Sequence, residues 1–145
     1  MAWSCSKDDN EKPLQDNIEV VEELTISEEI LLLVNEHRQS IGKSELIRNE
    51  IADEIAEGHT NYMVYQNQIS HDNFNGRFQE LQNLVAANSA GENVGYGYPT
   101  AVTVMDAWPN SPGHRNNIEG NFTHIGIGSI KNDQGVYYFT QLFYR

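Results

Sequence analysis

The nine residues Val136–Tyr144, VYYFTQLFY, constrain the fold of this chain more than any other stretch. A strand with one wet face alternates apolar and polar side chains. This run is apolar or aromatic nearly throughout, so it reads as a central strand covered on both faces. A turn at Asn132-Asp133-Gln134-Gly135 separates it from a second strand, HIGIGSI, His124–Ile130. The cover must come from upstream, where the periods are helical. Thr25-Ile26-Ser27-Glu28 has the form of a capping box opening a first helix, with Ile30, Leu33, Val34, His37 and Ile41 on one face and Gly42 as the stop. A second helix after Asn49 carries Glu50, Asp53 and Glu54 near its positive end, and Ile51, Ile55, His59, Tyr62 and Met63 as its apolar face.

After a polar loop, Gln66–Asn73, the residues Phe74, Phe78, Leu81 and Val85 mark a short third helix. Ala86–Pro99 is glycine-rich and aperiodic, a loop around a short strand. Thr100–Trp108 is helical, with Val104, Met105 and Trp108 on one side. Ser111–Ile118 is a helical turn, with Ser111 as N-cap and Pro112 in first position. Helices first and strands last, in 145 residues, predict a single α+β domain with helices packed around an antiparallel sheet. A chain of this length buries roughly 70% of its unfolded surface, enough for a core without cross-links. Its single cysteine allows no internal disulfide.

The net charge is −12, which argues against a nucleic-acid partner or a basic patch for anionic lipid. The charge is uneven: residues 1–36 hold ten acids and two lysines. Residues 1–24 read as an acidic, flexible leader, and 25–145 as the folded domain. Cys5 follows the small Ser4 and precedes a polar run, as in the mature start of a bacterial lipoprotein. Only four residues precede it, so the apolar segment of an export signal is missing. A lipidated tether and a free thiol on a floppy tail both stay open. No apolar run has the roughly 18 residues of a membrane span, so any membrane contact would run through a lipidated Cys5.

Of the five histidines, His37 and His59 lie on apolar helix faces and are expected to be hydrogen-bonded core residues. His71 and His114 sit in polar, loop-like segments, and Glu92 follows Gly91 between them. Two imidazoles and a carboxylate make a divalent-metal site with an open position. Their spacing matches no local metal motif, and HExxH and CxxC are absent, so a metal site and scattered polar residues both remain open. GENVGYG fits neither GxGxxG nor a Walker loop. Ser70 and Ser111 stand outside GxSxG, and Cys5 lies in the leader, so a nucleophilic mechanism is not expected.

Five segments taken together resemble the bacterial branch of the CAP superfamily (cysteine-rich secretory proteins, antigen 5 and pathogenesis-related 1 proteins; the SCP domain). They are Ser70–Phe74, Ala90–Gly97, Trp108–Ile118, Asn121–Gly128 and Tyr137–Phe143, with Asn35–Gly42 and Ala56–Met63 similar to its first two helices. The resemblance implies a three-layer α-β-α sandwich with a cleft at one edge. It also implies that His71, Glu92 and His114 line that cleft and hold Zn2+ or another divalent cation. The family's second acid falls at Ser111, so its tetrad is incomplete here. His124 is expected to be structural. The resemblance further implies an extracellular or cell-envelope protein, a monomer, whose cleft binds a lipid-like molecule or a cell-wall fragment. The alternative is a metal-assisted, peptidase-like hydrolase with Glu92 as third ligand or general base.

Overall fold

The computed structural model describes residues 23–145. Of the leader expected over 1–24, residues 1–22, Cys5 among them, lie outside the described residues. The elements are α1 (Ile26–Ser40), β1 (Ile47–Arg48), α2 (Glu50–Gln66), α3 (Phe74–Val85), β2 (Ala90–Tyr96), α4 (Ala101–Ala107), α5 (Pro112–Ile118), β3 (His124–Lys131) and β4 (Tyr137–Tyr144), with a 3-10 turn at Trp108–Asn110 before α5. The strands form one sheet in the order β1-β3-β4-β2. The aromatic run is thus an inner strand, antiparallel to β3 on one side and to β2 on the other. The antiparallel sheet expected from sequence gains one parallel pair, since two-residue β1 lies alongside β3. Two residues are too few to show a period, which is why the sequence did not reveal β1.

The pleat of β4 divides the core. Phe139 and Phe143 join Ile125 and Ile127 of β3 and pack against Ile30, Val34, Val104, Met105, Trp108 and Ile118 of α1, α4 and α5 with the turn between them. Leu142 and Tyr144, on the opposite face, join Ala52, Ala56 and Leu81 of α2 and α3. Helices on both faces of the sheet are the expected three-layer sandwich. Within the glycine-rich segment 86–99 the expected short strand is seven residues long, Ala90–Tyr96, with loop on either side. Its glycines mark close approaches: a Cβ on Gly95 would lie 3.2 Å from Trp108, and one on Gly91 would lie 2.6 Å from Asn117.

Two helix faces differ from expectation. In α1 the Thr25–Glu28 capping box forms. The buried residues, however, are Ile30, Val34 and Arg38, and Ile41 is exposed. Arg38 is tolerated inside because its guanidinium donates to the carbonyls of Ser44, Ile118, Gly120 and Phe122. It thereby ties the chain after α5 to α1, as cationic side chains near helix ends commonly do. His37 is half-buried, not core, and pairs with Glu119 at 2.9 Å. In α2 the buried stripe is Ala52, Ala56, His59, Thr60 and Met63. Ile51 and Ile55 are only half-covered and Tyr62 is exposed. The reason lies in β3: a Cβ on Gly126 would fall on the Ala52 carbonyl, and one on Gly128 on the Thr60 hydroxyl. Backbone-close packing selects the small residues of α2 and turns the larger ones outward. Asp53 fastens the contact by accepting from the Ile127 amide at 2.9 Å and from Arg48.

Candidate functional site

The cleft crosses the edge strand β2. Because side chains alternate along a strand, Glu92 and Val94 face α2 and α3, whereas Asn93 faces α5. His71 comes from the loop between α2 and α3, on one side of β2. His114 comes from α5, on the other. Both line a cavity of about 420 Å3 together with Ile69, Tyr96, Tyr98 and Trp108. The structure therefore brings His71 and His114 to one cleft, as expected.

Glu92 stands behind this cleft rather than in its wall. Its side chain is only 2% exposed. Arg77 of α3 grips it with two charge-assisted bonds, Nε to Oε2 at 2.6 Å and Nη2 to Oε1 at 2.7 Å. A third guanidinium nitrogen donates to the Asp72 carbonyl at 2.6 Å, which fixes the loop that carries His71. The His71 Nδ1–H donates to Glu92 Oε1 at 2.9 Å. Buried His59 lies 3.7 Å from the same oxygen and donates its Nε2–H to the Ser70 carbonyl at 2.7 Å. Burial pushes the His59 imidazole below its ordinary range, although the Ser70 carbonyl and Glu92 pull the other way. The expected core role of His59 holds, and it is also a neighbour of the carboxylate.

On the α5 side a chain of amides positions His114. Asn117 donates to the Glu92 carbonyl at 3.0 Å and to Asn93 Oδ1 at 2.9 Å. Asn93 Nδ2 donates to the His114 carbonyl and to Gln141 Oε1, both at 3.1 Å. The Trp108 indole donates to the Val94 carbonyl at 3.1 Å and lies beside the His114 ring. Burial, and then nearby His71, push the His114 imidazole down. Its Nδ1 is buried with no hydrogen-bond partner, the one such side-chain atom among the described residues. Ser111 also lines the cleft, and its hydroxyl makes no cap bond to α5, contrary to its expected role. His124 stacks on Tyr144 at 4.9 Å and does not line the cleft, as a structural role requires.

Sequence reasoning missed Arg77, Asn93, Asn117 and Gln141. Arg77 had a signal, because it falls in phase with Phe74 and Leu81, three residues after the one and four before the other. A basic side chain on a buried stripe requires buried acceptors, a carboxylate or a set of carbonyls, to receive it. Gln141 had another, as a lone amide within an apolar run.

The donor set bears on a divalent ion. Both Glu92 oxygens are engaged by Arg77, so the carboxylate does not fit as a metal ligand in this arrangement. No group of three His, Cys, Asp or Glu side chains among the described residues converges on one point. His71 does fit, because an imidazole that donates Nδ1–H to a carboxylate presents Nε2 outward, the usual arrangement behind a metal-bound histidine. His71 and His114 are then the two imidazoles that could face an ion, with Glu92 orienting the first.

A model of the CAP family, described as the cysteine-rich secretory protein family, matches residues 31–143. The chain is 33% identical over 106 residues to the uncharacterized protein YkwD of Bacillus subtilis, covering 70% of this chain and 41% of that protein. It is 31% identical over 127 residues to the uncharacterized membrane protein YlbC of the same organism, covering 83% of this chain and 35% of that one. It thus spans less than half the length of these relatives. An extracellular protein from Bacillus anthracis containing an SCP domain superposes with a TM-score of 0.72 at 30% identity, over 83% of this chain and 40% of that one. An outer surface protein of Borrelia burgdorferi superposes with a TM-score of 0.73 at 20% identity, over 84% and 96% of the two chains. That second likeness bears on the fold alone.

Proposed function

This chain belongs to the cysteine-rich secretory protein (CAP) family, in its bacterial form, and from that footing we propose that it is an exported ligand-binding module. Its cleft takes a partly apolar organic molecule bearing hydroxyl or amide groups, as lipid-like molecules and cell-wall fragments do. The observation that carries this reading is the cleft wall itself. Tyr96, Tyr98, Trp108 and Ile69 supply apolar surface, and the imidazoles of His71 and His114 supply a few convergent polar groups. The lowered pKa of His114 keeps that ring neutral near pH 7, suited to hydrogen bonding rather than to ion pairing.

Glu92 has a positioning role in this reading. Held by Arg77, it is not free to accept a proton from a bound water, so nothing in the geometry favours the hydrolase. Zn2+ enters as an optional occupant held by His71 and His114. The extracellular description of the similar Bacillus anthracis protein supports an exported location. No helix among the described residues is long and apolar enough to cross a membrane. Lipid attachment at Cys5 belongs to the same proposal, and mass spectrometry of the protein expressed in its native host tests it: an unmodified Cys5 rejects it.

The main test is titration of metal-free protein with soluble wall fragments and, separately, with a short-chain lysolipid, followed by tryptophan fluorescence. Saturable binding of either, weakened at least tenfold in His114→Ala and unchanged by chelator, is the expected result. Chelator-sensitive cleavage of a mixed peptide pool, lost in His114→Ala, would replace this reading with the hydrolase.

A further inference from the structure

A second groove runs between α2 and α3, separate from the cleft. It has a volume of about 490 Å3, and Ile51, Ile55, Tyr62 and Leu84 are its apolar walls. Leu84 is 59% exposed and Tyr62 42%. These side chains include the stripe of α2 that the sequence marks as apolar and that the sheet does not cover. The rim carries Glu54, Glu80 and Asp72. The one cation in the lining is Arg77, which Glu92 already neutralises.

Gly58 supplies an independent observation. It lies in the middle of α2 and lines the groove, and a Cβ built there would meet nothing within 4 Å. Glycine is the poorest helix former after proline. Elsewhere in this fold, Gly91, Gly95, Gly126 and Gly128 are explained by a neighbour that a Cβ would strike. At Gly58, as at Gly113 of α5, no neighbour among the described residues requires the missing side chain. Its absence keeps the floor of the groove open to something from outside.

We propose that the groove between α2 and α3 docks a basic, amphipathic peptide segment of a partner protein. Its apolar side chains sit on Ile51, Ile55 and Leu84, its backbone passes over Gly58, and its lysines or arginines pair with Glu54 and Glu80. Charge selects this occupant. The rim is acidic and the chain carries −12, so an acidic segment is repelled, the chain's own acidic residues 1–24 included.

The test uses a 14-residue amphipathic Lys/Leu peptide as probe, titrated by calorimetry against the full chain at about 0.05 M salt. One-to-one saturable binding is expected, with at least a tenfold loss in Gly58→Leu and in Glu54→Lys/Glu80→Lys. No change is expected in His114→Ala, whose site is the cleft. Gly58→Leu should melt at or above the parent temperature, so loss of binding cannot be ascribed to unfolding. Binding unaffected by both groove variants would mean diffuse attraction to an acidic surface and would overturn the proposal. Equal binding of a Glu/Leu peptide would overturn it too. So would a dimer in sedimentation that Gly58→Leu converts to monomer, since the occupant would then be a second copy.

Discussion

Arg77 and Glu92 hold each other at the edge of the sheet, both nearly shut off from water. Removing one partner strands a charge, which costs about 3–5 kcal/mol, whereas removing both costs far less. Glu92→Gln is therefore expected to destabilise by about 3 kcal/mol in urea unfolding, and Arg77→Met similarly. In Glu92→Leu/Arg77→Met the loss should fall well short of the sum. A solvated carboxylate, which a reading of Glu92 from its glycine neighbour anticipates, would give nearly no loss. The two histidines were legible because they stand in polar segments, His71 in a loop and His114 in the short α5, and Glu92 because a glycine flanks it. Arg77 was not, because its meaning depends on a pairing across 15 residues of sequence. His59 adds a pH signature. Its folded pKa is depressed, so the unfolded imidazole, with a pKa near 6.5, takes up a proton that the buried ring refuses. The unfolded state then binds more protons, and stability rises with pH in that window. Stability is full above about pH 6.5 and declines as pH falls below it and through the depressed value. In thermal melts between about pH 7 and pH 5 this decline should be shallower in His59→Gln than in the parent.

Among the elements, the contact of α2 with β3 is the least forgiving. Gly126→Ala places a methyl on the Ala52 carbonyl, backbone against backbone, so no rotamer change relieves it. A loss of about 3 kcal/mol or more is expected, with α2 displaced from the sheet. Trp108→Ala, on the other face, removes a fully buried indole and its bond to the Val94 carbonyl. It should cost about 3–5 kcal/mol by the same measurement, with the cleft wall lost as well. Which elements could be read from sequence follows from the same physics. The first helix announces itself through Thr25 and Glu28, whose side chains act within one turn. The inner strand announces itself through composition. The phase of α2 did not, because Ile51 and Ile55 look more apolar than Ala52 and Ala56. What decides between them is the pair of glycines on β3, more than 60 residues later. Strand β2 showed only as a short strand inside a glycine-rich loop for a related reason: its glycines serve Trp108 and Asn117, not a turn.

At the scale of the molecule, the described domain is held by two apolar layers and an edge network of amides and ion pairs, with no cross-link. Its melting temperature should be the same with and without a strong thiol reductant. A reductant-sensitive transition would require a disulfide between copies through Cys5. The sheet order carries a temporal consequence. The strand that joins β2 to β3 is β4, the last element of the fold to be synthesised. Until residues 137–144 emerge, β2 and β3 have no common neighbour, and β3 alone lies between the two helical layers. Local helices form early, but the non-local pairings wait for the final strand. A ribosome making this domain holds an incomplete sheet until the strand 137–144 has left it.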